Sequence, residues 1–335
     1  MVTISRQQAM YAAVLMAVGV EAIGASVDVA APGRSGNCDA IQMAINALPA
    51  TGGEISLQAG TYMCYQPIVI DKDNVRLRGQ GAATLLRLAT GADSPVVVIG
   101  QTVPVPTITR RNISIENLTI DGNRTGQHEE CWGGLCNTNP IRNNGITIRR
   151  AEDVYIGRVT VYSTRSGGLV SELTSRRLTV RDFTSYDNQY DGLAGYQTEE
   201  SSFSGIKVHD NLGAGLSFDI GFNHNHLSEI TITDNDSVGV FMRDSHDNLF
   251  GSLQVLRNGD HGVFLAQVDA DTSKPAAHNL FTGLVVSGSA GAGLRVNDAS
   301  CVGNMVIGGQ LSANAGGCIS EATPGMVQDL GVLCR

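Results

Sequence analysis

Five chemically capable side chains recur at one fixed place in the sequence: Arg149, Glu172, Tyr196, Asp219 and Arg243 each stand four residues after a glycine. Two chemistries fit such a set. A lyase or epimerase acting on a uronate needs a base for the proton α to the carboxylate. It also needs a cation to neutralise that carboxylate, so that the carbanion-like state becomes accessible. Arg149 or Arg243 would neutralise, and Tyr196, with an acid on either side, would serve as acid or base. A glycoside hydrolase instead needs two carboxylates flanking the bond. Glu172 and Asp219, two rungs apart in a stack of strands, would stand roughly 9–10 Å apart at Cα, near the separation of about 6.5–9.5 Å in inverting enzymes. The same pair would suit a glycosyl transferase. In a non-catalytic glycan-binding or matrix protein, the five would be a solvated ladder of compensating charges, such as Asp219 with Arg243.

The neighbouring turns add substrate-binding candidates. Glu199 and Glu200 fall seven and eight residues after the glycine of their repeat, and His246 and Asp247 fall likewise in a later one. His224 and His226 lie close by. Imidazoles and acids together can move protons. His224, His226 and Asp247 could also hold a metal, although no metal ligand, calcium motif or other cofactor is assigned. Phe241 and Phe264 stand two after the glycine in neighbouring repeats. They would either stack on a sugar ring or form a subunit contact, as in solenoids that trimerise side by side. Trp132, in the loop between Cys131 and Cys136, is placed where a lid over a groove would be.

These positions need a scaffold that repeats. Glycine followed by an apolar residue recurs at Gly145, Gly168, Gly192, Gly215, Gly239, Gly262, Gly293 and Gly317, at intervals of 23, 24, 23, 24, 23, 31 and 24 residues. The long interval holds an insertion around residues 269–278. Residues one and three after the glycine are mostly apolar, as in Leu216 and Phe218 or Val240 and Met242, while those two and four after it vary. Period two puts the first set inside and the second outside. A second apolar run follows in each repeat, such as Ile230-Thr231-Ile232, so each coil holds about three short strands. Asn188, Asn211, Asn235 and Asn258 precede their glycines by four residues and read as a structural amide ladder. Residues 39–48 read as a short amphipathic helix capping the N-terminal end, since an open solenoid end templates aggregation.

Composition agrees. Glycine numbers 40 of 335 residues, aromatics are 5% and charged residues 16%, which suits short strands and tight turns. The net charge of −9 argues against nucleic acid as partner, because phosphate binding needs a basic surface. The charge is uneven: residues 106–185 carry eleven Arg against eight acids, and residues 186–270 carry three basic residues against thirteen acids. That asymmetry reads either as solvated turns or as a groove with a cationic and an acidic end.

Residues 1–26 read as a secretory signal: Arg6, an apolar run over 9–20, and the small residues Gly24-Ala25-Ser26, with Glu21 close behind the run. The alternative is a buried N-terminal helix. No stretch is long enough for a membrane span. Residues 27–335 then form one domain in an oxidising compartment, secreted or periplasmic. The seven cysteines fit structural bridges rather than zinc. Cys131 and Cys136 could clip one loop, Cys38 and Cys64 flank the first strands, and Cys301, Cys318 and Cys334 gather near the C-terminus, with one thiol left over.

The segments DVAAPG, NCDAIQMAINALPATGGEISLQAGTY and NVRLRGQG, between Asp28 and Gly81, resemble the opening of pectate-lyase-superfamily β-helices. NISIENLTIDGNR, from Asn112 to Arg124, followed by a long loop, is similar to the alginate mannuronan C5-epimerases. In the DGNR turn, Asp121 and Arg124 are expected to pair with each other. The resemblance implies an all-β, right-handed parallel β-helix whose outer face is the substrate cleft. The epimerase run Tyr-Gly-Phe-Asp-Pro-His is absent; Ser166-Gly167-Gly168-Leu169-Val170-Ser171-Glu172 stands there. Tyr196 occupies the family's next outward Asp position, and Gly213-Ala214 replaces its Arg-His pair. The expectation is a secreted polysaccharide-active enzyme, lyase or C5-epimerase-like, on a uronate-containing glycan, with a polysaccharide or oligosaccharide as partner.

Overall fold

The structure, a computed structural model, describes residues 25–30, 37–128 and 141–335. Residues 1–24 of the expected signal segment, and the loop bearing Cys131, Trp132 and Cys136, lie outside them. Among the described residues the strands form a seventeen-stranded and a twelve-stranded sheet. Both are wound by one right-handed parallel solenoid. A representative coil runs from strand Leu216–Asp219 through a turn to strand His226–Thr233, then returns one rung higher. The second strand bends at Glu229, whose φ is 56°, so that it counts as two short runs. Successive coils pair in parallel register, Leu216 with Val240, Val240 with Val263, Val263 with Leu294 and Leu294 with Ile319.

The period-two reading places the core. Leu216, Phe218, Val240, Met242, Val263 and Leu265 are fully buried, each stabilising the coil by about 1.5–3 kcal/mol. Phe218 and Phe222 stack inside with centroids 3.9 Å apart. The recurring glycine answers to close approach rather than to turn geometry. A Cβ on Gly215 would meet Ile232 Cγ2 at 2.4 Å and Gly239 O at 2.8 Å; a Cβ on Gly239 would meet Val255 Cγ1 at 2.3 Å.

The amide ladder is present. Asn188, Asn211 and Asn235 each donate from Nδ2 to the Oδ1 of the next member, at 2.7, 2.8 and 2.9 Å, ending on Asn258. A second ladder on another corner joins Asn225, Asn248, Asn279 and Asn304 at 3.2, 2.9 and 3.1 Å. Each Oδ1 also accepts a backbone N–H from the preceding coil. An unpaired buried amide would cost about 1–3 kcal/mol.

The capping helix spans Asp39–Ala47 and buries Ile41, Ala44 and Ile45. Gln42 ties it to both backbone groups of Val69, Lys72 Nζ reaches its last carbonyls, and a Cys38–Cys64 disulfide anchors its start. A Cys318–Cys334 disulfide closes the C-terminal end, and among the described residues the free thiol is the buried Cys301. The insertion forms a strand, Asp271–Ala277, that folds back antiparallel on the Val263–Val268 strand. Asp121 and Arg124 do not pair with each other: Arg124 bonds Asp187 at 2.9 Å and Asp121 meets Arg87 at 3.3 Å. In the turn, Arg124 N donates to Ser163 O of the next coil, and the Arg124 side chain reaches Asp187, two rungs beyond Asp121. No helix among the described residues is long and apolar enough to cross a membrane.

Candidate active site

The five side chains stand on consecutive rungs of the twelve-stranded sheet, with Arg149 beside Glu172 and Tyr196 beside Asp219 in register. They point outward yet are sheltered. The outward Val170, Ala194 and Ser217 beneath them are buried, because turns on both sides rise above the strands. The result is a groove of about 610 Å³. One wall carries Tyr190, Asp191, Gly213, Ala214, Ser237 and Val238, and the other carries Leu173, Gln197 and Ile220. Arg149, Glu172, Tyr196, Asp219, Phe241 and Arg243 all line it, as does Arg142.

The charges within it are already partly spent. Arg149 is buried; its Nε donates to Glu172 Oε1 at 2.8 Å and its terminal nitrogens donate to the carbonyls of Gln101, Val103 and Pro104. Arg243 Nε and Nη2 both donate to Asp219 Oδ2, and Asp219 Oδ1 accepts the N–H of Ile220. Arg243 also lies over the Phe241 ring, 5.7 Å from its centroid.

Asp191 and Tyr196 differ. Burial pushes the Asp191 carboxyl above the usual carboxylate range, a rise partly offset by the Ala214 N–H at 2.9 Å, the Ser217 hydroxyl and the nearby Arg142. Burial likewise pushes the Tyr196 phenol up, helped by the negative charge of Asp191 and, less, of Asp219; Arg142 and Ser217 act the other way. Tyr196 is therefore neutral at ordinary pH, and Asp191 is a carboxyl with raised proton affinity in the same groove. Such pairs of perturbed groups mark sites of proton transfer.

Asp191 and Arg142 fall outside the outward positions of the glycine register, whereas Ser217, two after Gly215, stands at one of them. The residue before the coil glycine is Asn144, Gly167, Asp191, Ala214 and Val238 in successive coils. The single acid in that column is the signal that could have found Asp191. The remaining candidates disperse. Glu199 lines an adjoining groove of about 670 Å³ with Arg111, Arg150, Glu152 and Arg176; Gln197 and Ile220 line both grooves. Glu200 and His224 are exposed at the following turn and His246 is half-buried there, outside the groove. A possible metal-ligand group at that turn is His224, His246 and Asp247. His226 instead opens a strand, in register with Ser202 and Leu249. Phe264 stacks on Phe241 at 5.8 Å and on His261 at 5.6 Å. Trp132 lies outside the described residues.

Residues 172–326 match the family described as right handed beta helix region. Mannuronan C5-epimerase AlgE1 of Azotobacter vinelandii is 28% identical over 190 residues, which cover 53% of this chain and 13% of that protein. The chain thus matches a small part of this curated relative's length. Among solved structures, the Azotobacter vinelandii mannuronan C-5 epimerase AlgE4 A-module superposes with a TM-score of 0.57 at 19% identity, covering 89% of this chain and 92% of that one. Geobacillus virus E2 ORF18 superposes at 0.62 with 14% identity, over 92% of this chain and 59% of that one. At such identities the superpositions speak to the fold. The chain is a right-handed parallel β-helix with sequence similarity to mannuronan C5-epimerases.

Proposed function

We propose that this protein is an extracytoplasmic polysaccharide-active enzyme that moves the C5 proton of a uronate residue, as an epimerase or lyase. The observation that carries the reading is the pair Asp191 and Tyr196, both with raised proton affinity, in one groove that also holds Arg142 and Arg243. In this scheme the Asp191 carboxylate takes the proton from C5, and an arginine neutralises the sugar carboxylate so that the carbanion-like state is stabilised. The Tyr196 phenol then gives its proton either to the opposite face of C5, completing epimerisation, or to the departing glycosidic oxygen at C4, completing elimination. Solvent returns the lost proton to Tyr196 and removes the gained one from Asp191. Similarity to epimerases over about half the chain supports a uronate. Disulfides Cys38–Cys64 and Cys318–Cys334 support an oxidising location.

Hydrolysis by Glu172 and Asp219 has less support. Both carboxylates are engaged by guanidinium groups, so neither is free to protonate a glycosidic oxygen without giving up its arginine. The test incubates the chain with polyuronates in heavy water. Deuterium at C5 without unsaturated ends means epimerisation, and ultraviolet-absorbing unsaturated ends mean elimination. Tyr196→Phe and Asp191→Asn should each lower the rate by about 10²–10⁴-fold. Binding of every polyuronate tried with no exchange and no cleavage would overturn the enzyme reading in favour of a glycan-binding module. Release of reducing ends alone would favour hydrolysis.

A further inference from the structure

We propose that His224, His246 and Asp247 form a binding site for a divalent transition-metal ion of the zinc, nickel or cobalt class, open to solvent on its outer side. One ligand atom from each of the three lies within 4.8 Å of the other two. His246 Nδ1 is 2.8 Å from Asp247 Oδ2, and His224 Nε2 is 3.8 Å from the same oxygen. The two imidazoles meet edge to face, with planes at 87° and centroids 5.9 Å apart.

The solenoid creates this meeting. Two neighbouring columns run up one turn of the coils. The first holds Arg177, Glu200, His224, Asp247 and His278, all in the left-handed region with φ between 52° and 58°. The second is offset by one residue and holds Glu199, Asn223 and His246. His224 and Asp247 are therefore consecutive rungs of one column, and His246 is the adjacent rung of the other. Main-chain bonds fix the spacing: His224 N donates to His246 O at 3.2 Å, and His246 N donates to Asn223 Oδ1 at 3.0 Å. The flanking Asn225 and Asn248 belong to a buried amide ladder. The backbone is thus rigid while the three side-chain tips remain free to turn.

A tetrahedral ion with bonds of about 2.0–2.2 Å needs its ligand atoms about 3.4 Å apart. Small side-chain rotations bring the three to that spacing, the ion taking the place of the proton between His246 and Asp247. Water would complete the coordination. Two imidazole nitrogens and one carboxylate suit a borderline ion, whereas calcium asks for six to eight oxygens. The surrounding field favours a cation, since residues 186–270 carry thirteen acids against three basic residues.

The test is isothermal titration of the tag-free chain with zinc chloride and, separately, calcium chloride. Cobalt(II) absorption spectra provide a second readout of coordination. One equivalent of zinc should bind, and calcium should not compete with it. His224→Ala, His246→Gln and Asp247→Asn should each weaken zinc at least about tenfold and remove the cobalt bands, with the circular dichroism unchanged. His209→Ala is the control, because His209 forms a comparable pair with Asp210 at 2.6 Å without a second imidazole; it should leave binding intact. Absence of zinc binding by the unaltered chain, unchanged affinity in His224→Ala or His246→Gln, or equal loss in His209→Ala would overturn the proposal.

Discussion

Arg149 reaches across one rung to Glu172, Nε to Oε1 at 2.8 Å, while three main-chain carbonyls of the 101–104 segment occupy its terminal nitrogens. Four of the five N–H groups of this guanidinium are thereby engaged, and the side chain is buried, so little of it faces a sugar carboxylate. Its role is to fasten a loop to the groove. Arg149→Ala should therefore cost about 1–3 kcal/mol of stability, since it takes the donor from three loop carbonyls and from Glu172. Glu172→Gln keeps an acceptor at Oε1 and should cost only about 1 kcal/mol. Urea denaturation of the two variants checks this. An Arg149→Ala protein of unchanged stability that has lost glycan binding would place the arginine on the substrate instead.

The legibility of this fold and site follows from what repeats. The glycine column and the period-two alternation recur in every coil because each coil meets the same packing problem, so Leu216 and Phe218 could be set inside by counting. The second asparagine ladder, on another corner of the coil, was not read from the sequence, although its long step from Asn248 to Asn279 spans the same insertion as the step from Gly262 to Gly293. Asp191 was missed because it is the one acid in a column that otherwise holds Asn144, Gly167, Ala214, Val238, His261, Ala292 and Gly316, and a departure from the repeat is invisible to a search for the repeat. The fastening of Arg149 depends on where residues 101–104 return, which no periodicity encodes. The histidines show both sides. His246 could be placed at a turn by counting, but only the one-residue offset between two columns brings it, rather than His226, to His224.

Asp191 should be a destabilising residue kept for chemistry. Its folded carboxyl binds a proton more tightly than the ordinary value of 3.8, so the unfolded state releases its proton first as pH rises. Stability is then lost as pH climbs from about 3.8 towards the folded value. Asp191→Asn removes the buried charge and should raise stability at pH 8 by on the order of 1 kcal/mol, while abolishing turnover. The gain should shrink to nothing in acid below the ordinary carboxyl range. A variant less stable than the parent at pH 8 would mean that the Ala214 and Ser217 bonds to the carboxylate outweigh its burial.

The amide ladders predict a cost that depends on position. Asn235→Ala leaves Asn211 Nδ2 without its 2.8 Å acceptor and removes the amide that Asn258 Oδ1 receives. The loss should be about 1–3 kcal/mol, with the effect spreading to the coils above and below. Hydrogen exchange should show the backbone N–H of Asn211, which loses its acceptor Asn235 Oδ1, exchanging faster in the variant than in the parent. Exchange that stays slow at Asn211 would mean that the ladder merely accompanies the coil spacing.

Glu152, on the outer face of the larger sheet, collects three arginines: Arg111 at 3.0 Å, Arg176 at 2.9 Å and Arg177 at 2.7 Å. Burial works against its charge, but the three hydrogen-bonded guanidiniums prevail and hold the carboxyl down at about 2, against an ordinary value of 4.5. A depressed carboxyl stabilises the fold above its unfolded value, and that contribution is lost as pH falls through the folded one. The window is thus from about pH 4.5 down to about pH 2. Glu152→Gln should lower the melting temperature at pH 7, and the gap between parent and variant should close across that window. A gap that persists unchanged at pH 2 would show that the glutamate acts through packing rather than through its charge. Arg176→Ala, which leaves two of the three partners, should move the lower end of the window upward without removing it.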